Sequence, residues 1–80
     1  MSKTDAIDFI RGKISDMEIT LITRIGMQKV WGGGTDASWR AVGCFKSKAD
    51  RLKESETHGR IADKNRRELE MFKSVLEYLK

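Results

Sequence analysis

Three consecutive glycines, Gly32 to Gly34, divide the chain into two stretches that must fold as separate elements. Glycine has no Cβ to restrict its backbone, so a run of three stops regular structure and lets the chain reverse. Before the run, residues 6–31 are rich in Ile, Leu, Met and Val. After it, Thr35 and Asp36 are good helix-starting residues. The chain contains no proline, and within its charged C-terminal half Gly59 is the expected further break.

Size then limits how such a chain can become stable. Its 80 residues make one domain, 1–80, and a chain this short buries only about 60% of the surface it exposes when unfolded. Small domains compensate with disulfides, a metal or association. Cys44 is the single cysteine, so no internal disulfide is possible, and its solitude suggests a reducing compartment. With His58 the single histidine, a four-ligand zinc site is not available either. No metal or cofactor is expected, and a homo-oligomer is the expected route to stability. Asp5, Asp8, Arg11, Lys13, Asp16, Glu18 and Arg24 interrupt every apolar window of the N-terminal half, so no membrane helix is expected. Acids sit where a signal peptide carries basic and apolar residues. These features together predict a cytoplasmic protein, and the net charge of +4 gives a mild bias toward anionic partners.

Periodicity orders the elements. Ala6, Ile7, Ile10 and Ile14 follow helical spacing, which predicts a first helix over residues 4–13. Residues 16–31 admit two readings. The β-branched run Ile19 to Ile25, with Met17, Ile19, Leu21, Ile25, Met27 and Trp31 on alternating positions, suits a strand. Ser15 and Glu18 form a capping box, however, and Ile14 and Ile19 a hydrophobic staple, which together favour a second helix. Beyond the glycines, Trp39, Val42, Phe45, Ala49 and Leu52 make one helical stripe. Leu69, Phe72, Leu76 and Leu79 make another, with heptad-like spacing. The expected fold is therefore all-α, a helical hairpin of three to four helices that oligomerises. The alternative is α+β, with a β-hairpin across residues 17–45 and C-terminal helices. In either, Ile14, Ile19, Ile22, Ile25, Val42, Phe45, Leu69, Phe72 and Leu76 supply most of the core.

No catalytic constellation is visible, and enzyme activity is not expected. Cys44 and His58 are fourteen residues apart, too far along one helix for the contact that a nucleophile and its base need. Cys44 reads as a small core residue, His58 as a turn residue near Glu54. The glycine triplet lacks the Gly-Lys-Ser/Thr that a phosphate-binding loop requires. Glu56 with Arg60 and Asp63 with Arg67 are acid-before-base pairs of a solvated helix face. Arg60, Lys64, Arg66 and Arg67 are the candidate phosphate contacts if the partner is nucleic acid. Around the glycines, two tryptophans lie near bases. Trp31 or Trp39 could stack on a nucleobase, with Arg40, Lys46 or Lys48 meeting phosphate.

Two segments resemble a known family. Glu18-Ile19-Thr20-Leu21-Ile22-Thr23-Arg24-Ile25 is similar to the E-I-x-L-I-x-x-I run that opens the hairpin domain of phage cyclic-oligonucleotide sponges. Thr35-Asp36-Ala37-Ser38-Trp39-Arg40-Ala41-Val42-Gly43 resembles the T-D-P-R-W-x-A-I-G run of its second helix. Ala37 and Ser38 stand where that pattern has Pro and Arg, and the hairpin between the runs is shorter. Such sponges blunt CBASS and Thoeris immunity by sequestering the signalling nucleotide. The resemblance implies an all-α hairpin, a homo-oligomer, nucleotide pockets between subunits, and phage counter-defence in the host cytoplasm.

Three functions therefore compete: a non-enzymatic sponge for a small anionic, cyclic-nucleotide-like ligand, a protein-binding inhibitor or modulator of a host factor, and a nucleic-acid-binding accessory protein. The third lacks aromatic residues interleaved with the bases of residues 46–67.

Overall fold

Ser2 starts the first helix. Its hydroxyl accepts from the Asp5 amide, and the Asp5 carboxylate accepts from the Ser2 amide, a reciprocal cap. The computed structural model describes residues 2–80, and among these the elements are α1 (Lys3–Gly32), α2 (Asp36–Ala41) and α3 (Lys48–Leu79). No strand occurs among the described residues. The chain is an all-α helical hairpin, in which two long helices pack antiparallel and the short α2 crosses the turn. Position along α3 falls as position along α1 rises: Met17 lines a hollow with Asn65 and Phe72, Arg24 meets His58, and Gln28 meets Ser55.

The packing follows a heptad. Ile7, Ile10, Ile14, Met17, Leu21, Arg24 and Trp31 are half-buried, at alternating spacings of three and four once exposed Gln28 is counted in its place. Facing them are Arg51, Ser55, His58, Ala62, Asn65, Leu69, Phe72, Leu76 and Leu79 at the same alternation. Ala62 and Leu69 are the best-buried apolar side chains, at 2% and 5% exposure. The open end of the hairpin is closed by Ile, Leu and Phe. Toward the turn the seam becomes polar: Arg24 Nη1 lies 3.0 Å from His58 Nδ1, and Ser55 Oγ donates to the Gln28 carbonyl at 2.8 Å.

Several expectations are corrected. Residues 16–31 are helical, but as part of one unbroken α1, so the Ser15/Glu18 box and the separate 4–13 helix are not boundaries. A continuous seam along α3 outweighs the β-branched run. Thr20 and Thr23 fit the helix by donating their hydroxyls to the Asp16 and Ile19 carbonyls. Gly59 does not stop α3. It lies within the helix, where an added Cβ would come 2.7 Å from Gln28 Nε2. The break falls earlier instead, at Gly43, whose φ is 83°. That break splits the expected Trp39–Leu52 stripe, leaving Val42 and Phe45 at 76% and 80% exposure rather than in the core. Ile19 and Ile22 also face outward, at 63% and 70%. His58 sits within α3 against Arg24, not in a turn beside Glu54. The expected pairs of Glu56 with Arg60 and Asp63 with Arg67 give way to Asp63–Arg66 and Glu68–Lys64, both well exposed.

The molecule measures 55 × 18 × 15 Å with a radius of gyration of 17.6 Å. A compact domain of this length would have about 12 Å. The seam and the exposed positions make opposite predictions. Leu69→Ala should lower the unfolding free energy by about 2–5 kcal/mol, whereas Val42→Ala should change it by less than about 0.5 kcal/mol. Urea unfolding followed by circular dichroism distinguishes the two.

Candidate functional site

The turn of the hairpin collects the functional candidates, and backbone geometry does the collecting. Gly33 caps α1, its amide donating to the Val30 carbonyl. Gly34 follows at φ 82°, a left-handed conformation that side chains disfavour. Thr35 then caps α2 in a reciprocal box with Ser38. This path folds Trp39 back onto Trp31: the rings stack with centroids 5.0 Å apart and planes within 3°. Trp39 Nε1 donates to the Gly33 carbonyl at 2.9 Å. A Cβ on Gly34 would stand 2.8 Å from that indole nitrogen, so backbone and ring both require glycine there.

Arg51 braces the turn from α3. It is 4% exposed, with Nη1 donating to the Lys46 carbonyl at 2.8 Å and Nη2 to Asp36 Oδ1 at 2.5 Å. Its guanidinium also lies 5.8 Å from the Trp39 ring centre. One side chain thus ties α3 to α2 and to the α2–α3 loop. The hydrogen bond and the charge of Arg51 hold the Asp36 carboxyl below its ordinary pKa of 3.8, with smaller contributions from Arg40 and Lys48. Lys46 is occupied too, 3.5 Å from Glu54 Oε1 and 5.9 Å from the Trp31 ring centre.

Between α2 and the start of α3 lies an open cleft of about 250 Å³, lined by Asp36, Arg40, Cys44, Phe45, Lys46, Ser47, Lys48 and Arg51. Arg40 and Lys48 have no ion-pair partner among the described residues. The only carboxylate in the lining, Asp36, is already bound to Arg51. Such a cleft favours an anion, and the neighbouring Phe45 ring offers an aromatic face beside the charges.

The structure therefore gathers the five residues expected from sequence at one end of the hairpin, with the two tryptophans turned toward each other. Arg40, Lys46 and Lys48 share the cleft. Trp31 and Trp39 stack on each other, which makes them struts of the turn more than a platform for a base. Sequence reasoning missed Phe45, which it placed in the core, and Arg51. The signal for Phe45 is Gly43, which ends α2 two residues earlier. The signal for Arg51 is register, since the seam of α3 runs through 51, 55, 58 and 62 and not through Leu52. Cys44 lines the cleft half-buried, whereas His58 Nδ1 is taken by Arg24. No group of three or more metal-ligating side chains occurs among the described residues. No helix there is long and apolar enough to cross a membrane. No protein-family model, curated protein or solved structure matches the chain.

The Asp36–Arg51 pair carries a pH dependence of defined sign. Because the folded carboxyl titrates below 3.8, its stabilisation is present above that value and is lost as pH falls through the lower folded value. A carboxyl-carbon NMR titration should place the Asp36 midpoint below 3.8, and Arg51→Met should raise it toward that ordinary value. The near-ultraviolet signal of the tryptophan pair should weaken over the same acid range.

Proposed function

We propose that this chain is a non-enzymatic binding protein whose turn-end cleft captures a small anionic ligand carrying an aromatic ring, a cyclic nucleotide being the natural example. The observation that supports this most directly is the juxtaposition of unpaired Arg40 and Lys48 with the exposed Phe45 ring around one open cleft. Arginine and lysine supply charge-assisted hydrogen bonds to phosphate oxygens, and an aromatic face supplies stacking energy that any base can use. At about 250 Å³ the cleft suits one nucleotide unit. A cyclic oligonucleotide would therefore enter with one of its units in the cleft, and each copy in a homo-oligomeric sponge would offer a cleft of its own. Sequestration needs affinity and no reacting group. The resemblance at residues 18–25 and 35–43 supports phage counter-defence in the host cytoplasm as the setting, and a helical hairpin is compatible with it.

A second reading draws on the same end of the molecule. Val42 and Phe45 are both exposed apolar side chains at this end, Phe45 beside Arg40 and Lys48 and Val42 beside Lys29, a composition suited to contact with an acidic-rimmed groove on a host protein. The nucleic-acid reading has less support, because Lys64 and Arg66 of its candidate cluster pair with neighbouring acids.

Titration with cyclic di- and trinucleotides, near the physiological ionic strength of about 0.15 M, tests the first reading. The expected outcome is saturable binding that changes tryptophan emission. Phe45→Ala should weaken it by roughly tenfold or more, as for loss of one stacked base. Arg40→Ala with Lys48→Ala should weaken it by at least about tenfold, whereas Trp39→Phe should alter the emission more than the affinity. No binding of any nucleotide, together with capture of one stoichiometric protein partner, would replace the sponge by the protein-binding reading.

A further inference from the structure

The outward side of α1 is apolar where a two-helix hairpin should be polar. In the stretch from residue 19 to 28 the single charge is Arg24, and it points inward to His58. Ile19, Ile22 and Val30 point away from α3, at 63%, 70% and 56% exposure. A Cβ added at Gly26 would meet nothing within 4 Å, so the backbone itself is open on this side. An ordinary surface helix carries one apolar stripe, and a helix apolar on opposite sides is covered on both.

Area supports the same view. The chain exposes 5831 Å², which exceeds by roughly 900 Å² what a compact monomer of its mass exposes. Each partner in an interface of standard size contributes about 800 Å². The excess therefore matches one such interface.

We propose that this face docks a second copy of the chain, its α1 antiparallel to the first and related by a twofold axis passing between residues 22 and 23. The pattern on the face is self-complementary about that point. Ile19 falls opposite Gly26 of the partner subunit, a large side chain over a bare backbone. Ile22 falls opposite Thr23 of the partner subunit. Asp16 falls opposite Lys29 of the partner subunit, and the symmetry makes that ion pair twice. Neither Asp16 nor Lys29 forms an ion pair within the chain among the described residues. An isologous contact of this kind closes on itself as a dimer. The product is a four-helix assembly in which α1 of each copy is interior, with α3 outside.

The inference rests on the reading of the chain as an assembling protein and not on its ligand. Sedimentation equilibrium of the native chain at micromolar concentration should give a mass of at least twice 9.2 kDa. Ile22→Asp should dissociate it while leaving helical circular dichroism intact, because residue 22 is outside the hairpin seam. Asp16→Lys and Lys29→Asp should each weaken association by bringing like charges together. Mixing those two variants should restore it as a heterodimer, since every facing pair is then opposite in sign. A native chain that sediments as a monomer, or that associates only with a different protein, overturns assembly itself. A native oligomer that is indifferent to Ile22→Asp, or whose charge variants fail to complement, overturns this face and register while leaving assembly in place.

Discussion

The seam between α1 and α3 carries almost all the tertiary structure, and it is only one residue-layer thick. Two helices in contact can bury each side chain from one direction alone, which is why, among the described residues, only Ala62, Leu69 and Arg51 are buried and none is wholly out of water. Large apolar residues of the seam, such as Ile14, Phe72 and Leu76, remain half-buried. Stability therefore depends on the seam being continuous over its length, since no individual position is deep enough to dominate. This explains why the β-branched segment around Ile19 to Ile25 is helical. A strand there would interrupt the heptad between Met17 and Trp31 and uncouple the open end of the hairpin from the turn.

Polar residues within the seam give it direction. Arg24 with His58, and Gln28 over Gly59, are contacts that only one alignment of the two helices satisfies. A shift by one heptad would leave Arg24 opposite Arg51 or Asn65, with like charge in the first case and no acceptor ring in the second. Aliphatic packing tolerates such a slip, whereas a buried polar group without its partner does not. Asn65 is the exception within this scheme, since its buried Nδ2 has no hydrogen-bond partner among the described residues. It lies near Lys13, Asp16 and Thr20 in a hollow of about 300 Å³, a size that admits water.

Periodicity made the architecture legible. The Leu69, Phe72, Leu76, Leu79 spacing and the glycine triplet specify a hairpin, and the caps at Thr35 and Gly33 fall where such residues are expected. What misled was local grammar read without its tertiary context. Ser15 and Glu18 have the composition of a cap, but a cap has meaning only where the helix ends, and burial of Ile14 and Met17 on one seam carries the helix straight through. Gly43 was the quieter signal. One glycine after Val42 ends α2, turns Phe45 outward and shifts the inward register of α3 from Leu52 to Arg51. The five cleft and turn residues were identifiable because aromatic and basic side chains cluster near a reversal. The mutual stacking of Trp31 and Trp39 was not, because the choice between stacking on a ligand and stacking on each other depends on the angle at which α2 returns.

That angle connects the two ends of the argument. α2 is held by Trp39 against Trp31, by Asp36 against Arg51 and by the Trp39 indole against Gly33, three contacts that converge on six residues of helix. An element so short has no stability of its own, and its placement is wholly a product of those contacts. The cost is that Arg51, Asp36 and both tryptophans are committed to holding the turn. The gain is that Arg40, Phe45 and Lys48 are left free on a rigid frame, so a ligand of the proposed kind would meet charges already in position and give up less entropy in ordering them. On the far side of the same α1, the apolar residues that the thin seam could not cover face outward from a helix whose orientation the seam has already fixed. Turn-end recognition and self-association would thus use different parts of one scaffold: because the paired α1 helices run antiparallel, each copy would carry its cleft at its own end of the dimer, clear of the contact.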